Sequence, residues 1–143
     1  YQILRQGRVT AGLMRFPWDL ERIGLDKRRY TALPDLLLKY RMLVEKQYTA
    51  TRLVQEYAGQ LGVSANYLNV LVRKYLGKSA LNLINERVIL EIKRRLLRTE
   101  KGVSEIAYEL GFDELSYFSR FFKRHTGMTP IAFREKMNEM YQR

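Results

Sequence analysis

Two segments about 50 residues apart repeat one frame, and that repeat restricts the possible fold more than any other feature of the chain. Ala58-x-x-Leu61-Gly62 matches Ala107-x-x-Leu110-Gly111. After one inserted residue, Tyr67-Leu68, Arg73-Lys74 and Gly77 match Tyr117-Phe118, Lys123-Arg124 and Gly127. A small residue followed four positions later by glycine is what a steep helix-turn-helix requires. The helices approach closely at the small side chain, and the glycine lets the chain reverse in about 3–4 residues. One such match is weak evidence; two in the same register, joined by a single helical stretch, are specific.

Between Pro34 and Pro130 apolar residues recur at helical spacing without sustained strand alternation. The chain is therefore expected to be all-α: two helix-turn-helix subdomains joined by a long linking helix, about seven helices in total. DLLLKYRMLVEKQY is the first helix, with Asp35 placed to cap it, and TRLVQEYAGQLG is the second, ended by Gly62. SANYLNVLVRKYLG opens on Ser64 and closes on Gly77, and SALNLINERVILEIKRRLLRT is the linking helix, capped by Ser79. VSEIAYELG and DELSYFSRFFKRHTG repeat the arrangement. TPIAFREKMNEMYQ ends it, with Thr129 as cap and Pro130 at the first helical position, where its missing N–H costs nothing.

At about 100° per residue, Phe118, Phe121, Phe122 and His125 share one helix face, while Ser116, Ser119, Arg120 and Lys123 lie nearly opposite. The first copy divides alike: Leu68, Leu71, Val72 and Tyr75 inward, Asn66, Asn69, Val70 and Arg73 outward. Each copy thus holds one helix, over 64–76 and 113–126, by its apolar side and presents small polar groups and a long donor on the other. A major groove about 12 Å wide admits such a helix and reads bases by hydrogen bonds and methyl contacts. The base-reading candidates are Asn66, Asn69, Val70, Ser116, Ser119 and Arg120. Arg73, Lys74, Lys123 and Arg124 are candidates for phosphate, in positions where positive charge also complements the helix dipole.

The formal charge of +11 over 143 residues fits a polyanionic partner, and double-stranded DNA suits the paired helices best. Exposed rings for stacking single-stranded bases are not part of the pattern, which disfavours RNA. The chain has no cysteine, so disulfides, thiolate metal sites and thiol catalysis are excluded. No apolar run approaches the roughly 20 residues of a bilayer span and no signal pattern opens the chain, so a soluble cytoplasmic protein is expected. Residues 1–34 break periodicity with proline and glycine and carry +4 of the charge; they read as a linker or the remnant of a preceding domain, in a chain that begins at Tyr1 within a longer protein. Residues 35–143 form the domain and carry the remaining +7.

VSEIAYELGFDELSYFSRFFKRHTGMTPIAFR resembles the signature region of the AraC/XylS family of bacterial transcription regulators, and VSANYLNVLVRKYLGKSALNLINERVILE resembles that family's first helix-turn-helix and linking helix. The likeness runs from about residue 36 to 136. It implies a DNA-binding domain whose two recognition helices enter adjacent major grooves about 34 Å apart. It also implies an N-terminal sensor or dimerisation domain in the intact protein, with RNA polymerase as a further partner. Three positions depart from the pattern: Val70 stands where many relatives have the Arg that Arg120 keeps, Gly102 replaces a serine cap, and Ile92 replaces a small alanine.

The competing reading is a helical protein-interaction module that docks a sensor domain or RNA polymerase with weak DNA specificity, and Val70 is the residue that favours it. The outer face of KRRLLR, Lys93, Arg94, Arg95 and Arg98, is open to a solubilising or a DNA-backbone role. Gly77-Lys78-Ser79 is not a nucleotide loop, because Val72 stands where the motif needs glycine and no strand precedes it. His125 is the only histidine, without a second ligand at metal spacing, and no serine has a histidine partner nearby. No enzyme activity, catalytic residue, metal or cofactor is expected. Relatives that repair alkylated DNA use a cysteine, which this chain lacks.

Overall fold

The computed structural model describes residues 33–141; the expectations for residues 1–32, Trp18 among them, lie outside the described residues. Seven helices and no strand occur among the described residues. They are α1 (Asp35–Gln47), α2 (Val54–Leu61), α3 (Ala65–Leu76), α4 (Ala80–Arg98), α5 (Val103–Glu109), α6 (Leu115–Thr126) and α7 (Pro130–Tyr141). The all-α, double helix-turn-helix expectation therefore holds. The chain divides into two compact units, the first reaching Lys46 and resuming over Leu53–Ala80, the second made of Gln47–Arg52 and the residues from Leu81 onward.

In the first unit Leu37, Tyr40, Val44, Tyr57, Ala58, Leu68 and Val72 are buried. Tyr40 and Tyr57 meet edge to face with ring centroids 5.6 Å apart. The Tyr40 hydroxyl donates to the Ala80 carbonyl at 2.6 Å, and burial raises its pKa well above the ordinary phenol value. The turn after α2 is a Schellman closure: Gly62 sits at φ 73°, its N–H donates to Gly59 O, and the Val63 N–H donates to Ala58 O. Ser64 then caps α3, its Oγ accepting from the Tyr67 amide at 3.0 Å.

The second unit repeats that closure atom for atom. Gly111 at φ 89° donates to Tyr108 O and Phe112 donates to Ala107 O. Phe112 is 2% exposed and its ring packs on Phe118 at 5.0 Å and Phe121 at 5.4 Å. Phe122 meets Phe133 of α7 at 5.5 Å. Ile92, the departure from a small residue, is fully buried in α4. Thr129 caps α7 through a 3.1 Å bond from the Ala132 amide, with Pro130 as first helical residue as the sequence implies.

Arg134 of α7 ties off the end of α4. Its Nε donates to Leu96 O at 2.9 Å, Nη1 to Lys101 O at 2.7 Å and Nη2 to Thr99 O at 3.2 Å. Helix C-termini leave carbonyls without intrahelical partners, and one planar guanidinium satisfies them here. Arg134→Ala is expected to lower the stability of the second unit by about 1.5–3 kcal/mol, the range for charged hydrogen bonds. Amide exchange of α4 and α7 measures it, and unchanged protection would remove Arg134 from the scaffold.

The structure corrects several local expectations. α2 begins at Val54, three residues later than its pattern suggests, after an extended Leu53, and Gln47–Arg52 belongs to the second unit. There the Arg52 guanidinium lies 4.2 Å from the Phe112 ring centroid. α6 begins at Leu115 rather than 113, since Phe112 turns into the core and Asp113 and Glu114 carry the chain to the first turn. Asp35 is the first residue of α1 rather than its cap. His125, expected on the core-facing side as a packed or partly exposed ring, lies at the exposed end of α6 with its ring tilted against Phe121, centroids 4.5 Å apart, and its Nδ1–H donates to Phe121 O at 2.9 Å.

Candidate nucleic-acid interface

α3 and α6 are each held by one fully buried stripe. In α3, Leu68 and Val72 have no exposed surface; in α6, Phe118, Phe121 and Phe122 are at most 2% exposed. Open to solvent on the opposite side of each helix are Asn66, Val70, Arg73 and Lys74 on α3, and Ser116, Arg120, Lys123 and Arg124 on α6, with the rings of Tyr67 and Tyr117 half-exposed beside them, contrary to the expectation that the rings point inward. The sets coincide position for position, offset by 50 residues like the helices themselves. Each helix closes on a left-handed glycine, Gly77 or Gly127, whose N–H bonds to the carbonyl of Arg73 or Lys123. The side chains of those two residues are thus set at a helix C-terminus, where the dipole favours their charge.

Asn69 and Ser119 depart from this face. Asn69, expected to point outward, is half-buried and its Oδ1 accepts from the Ala80 amide at 2.9 Å. With Tyr40 on the Ala80 carbonyl, it fixes both polar groups of the residue at which α4 starts. In the second copy Pro130 occupies the position of Ala80, has no N–H to satisfy, and Ser119 stands where Asn69 would. Ser119 is also half-buried, on the flank of α6 rather than its centre.

The basic run of α4 is partly committed to the fold. Glu91, 3% exposed, faces three guanidinium groups: Arg87 at 3.5 Å, Arg94 at 3.1 Å and Arg95 at 2.8 Å. Arg95 also reaches Glu109 at 3.0 Å, and Lys101 pairs with the same carboxylate. Burial alone would raise the Glu91 pKa, but the hydrogen bonds and charges of Arg95 and Arg94 outweigh it and hold the carboxyl below its ordinary value. The Lys101 ammonium, ahead of Arg95, does the same for Glu109. Arg94 and Arg95 are therefore engaged with the scaffold, Arg94 while still exposed, and Arg98 is exposed. Lys93 lies 5.9 Å from the Phe133 ring.

Sequence reasoning missed Glu91, Arg134 and Arg52. The first had a signal: arginines at i−4, i+3 and i+4 surround it in the sequence. No cluster of histidine, cysteine or carboxylate side chains able to hold a metal occurs among the described residues, and no described helix is long and apolar enough to cross a membrane.

A family model described as a helix-turn-helix domain matches residues 57–136. The arabinose operon regulatory protein of Escherichia coli is 33% identical over 91 residues, which is 61% of this chain and 31% of that protein. The C-terminal domain of AraT, a response regulator from Geobacillus stearothermophilus, superposes with a TM-score of 0.69 at 29% identity, covering 73% of this chain and 88% of that domain. The DNA-binding domain of AdpA, solved in complex with a target DNA, shares the fold at a TM-score of 0.69 and 20% identity, covering 77% of this chain and 99% of that one. The chain spans about half or less of the length of the curated relatives it matches.

Proposed function

We propose, from the premise that this chain belongs to the AraC/XylS family of helix-turn-helix transcription regulators, that α3 and α6 each read base edges in the major groove of one duplex. The observation that carries this is the coincidence of the two outward quartets on helices whose opposite sides are locked in core. Asn66, Val70, Ser116 and Arg120 are the base readers in this proposal, with Asn69 withdrawn because its acceptor is engaged and Ser119 secondary on its flank. Arg73, Lys74, Lys123 and Arg124 take phosphates and supply most of the affinity. The work is recognition without a chemical step. In the intact protein, a sensor or dimerisation domain and RNA polymerase are its expected partners, in the cytoplasm.

Binding to duplex DNA is then steeply salt-dependent. Lys123→Ala should weaken binding similarly on every duplex and reduce the slope of log affinity against log salt by about 1, read from anisotropy titrations at several salt concentrations. An unchanged slope would confine Lys123 to its helix terminus.

A further inference from the structure

We infer that the DNA site of this chain is chemically asymmetric, with an A·T block under α3 and a guanine-containing block under α6. The inference rests on the proposed base-reading role of both helices and deepens it by naming what each one reads. The two outward faces share their cations, Arg73 and Lys74 on one and Lys123 and Arg124 on the other. They differ at two positions, where Asn66 faces Ser116 in the repeat and Val70 faces Arg120.

Val70 is the informative residue. It is 55% exposed on a face that also carries an amide, two cations and, three residues before it, the half-exposed ring of Tyr67. An aliphatic side chain has no hydrogen bond to offer, and in the major groove the apolar feature available to it is the thymine C5-methyl. A G·C edge set against it would lose water from its polar groups without replacement, which disfavours that pair. Asn66 lies four residues earlier on the same face, about 6 Å along the axis, and its amide matches the N6 donor and N7 acceptor of adenine. Asn66 and Val70 together therefore select A·T pairs. On α6 the corresponding positions carry Ser116, which accepts any base, and Arg120, whose guanidinium fork matches O6 and N7 of guanine.

The test uses the whole 143-residue chain and a randomised duplex pool from which bound sequences are selected, followed by replacement of each thymine in the selected site by deoxyuridine. Val70 is largely exposed and alanine is the better helix former, so Val70→Ala keeps the fold. Two enriched blocks are expected, one of A·T pairs and one with guanine. Deoxyuridine at one thymine should weaken the native chain about fourfold, the factor that about 0.8 kcal/mol per buried methyl gives, and should weaken Val70→Ala less, since the shorter side chain covers less of the thymine methyl. Arg120→Ala should relax the guanine preference alone. Val70→Arg should shift the first block toward guanine.

Two blocks whose Val70-dependent member is G·C would overturn the asymmetry while leaving base reading by both helices intact. So would equal sensitivity of the native and Val70→Ala chains to the lost methyl, which would trace A·T preference to duplex deformability instead. Binding without any enriched block would overturn the base-reading proposal itself, and the asymmetry with it.

Discussion

Gly111→Ala is expected to destabilise the second unit by about 2–5 kcal/mol, combining the cost of a left-handed residue with that of forced overlap. Gly111 sits at φ 89°, and a Cβ built there would lie 2.5 Å from the Thr49 carbonyl oxygen, a backbone atom that cannot swing aside. Gly62 makes the same turn in the first unit at φ 73°, with nothing within 4 Å of its would-be Cβ. Gly62→Ala should therefore carry the conformational penalty alone, about 1–2 kcal/mol. The contrast matters for function, because the Gly111 turn sets the start of α6 through Phe112. Amide exchange resolved by unit separates the two effects. Equal losses in both variants would show that the approach of Thr49 to Gly111 contributes nothing.

Glu91→Ala is the second large effect, expected at about 1.5–3 kcal/mol, the range for charged hydrogen bonds, since the buried carboxylate is lost while its partly exposed arginines regain water. Its acid behaviour has a defined sign. The folded-state pKa is lowered, so the carboxylate contributes stability that is fully present above the unfolded value, about 4.3, and is lost as pH falls through the lower folded value. The native chain should thus lose stability progressively from about pH 4.5 downward. Glu109 shifts the same way and adds to that slope. Glu91→Gln separates the two: it should be less stable near neutrality and flatter in the acid range. Denaturant midpoints across that range measure this, and parallel curves for native and variant would mean that Glu91 is not held ionised by its arginines.

The repeat, both turns and most of the two outward faces were legible because each depends on local signals: apolar residues at helical period, a small residue four before a glycine and, in the first copy, the Ser64 cap. Gly62 and Gly111 adopt the conformation that glycine permits most cheaply, so their sequence position located the turns. What the sequence hid is non-local. Asn69 falls near the outward face on a helical wheel, yet its true partner is the amide of Ala80, eleven residues on. Arg134 reads as a surface residue of the last helix, and its three acceptors lie more than 30 residues earlier. Glu91 is the exception, since its three arginine partners lie within four residues on the same helix and were there to be read in the sequence. The late start of α6 follows from Phe112 entering the core, a packing choice that periodicity does not encode.

Recognition by both helices is tested most directly by titrating the chain against a duplex carrying both selected blocks, and against the same duplex with either block scrambled, all at one salt concentration. If α3 and α6 both read bases, scrambling either block raises Kd by about tenfold or more, since each mismatched pair costs about 1–3 kcal/mol. Equal affinity for all three duplexes would contradict base reading by either helix and leave the exposed faces of α3 and α6 with phosphate contacts alone.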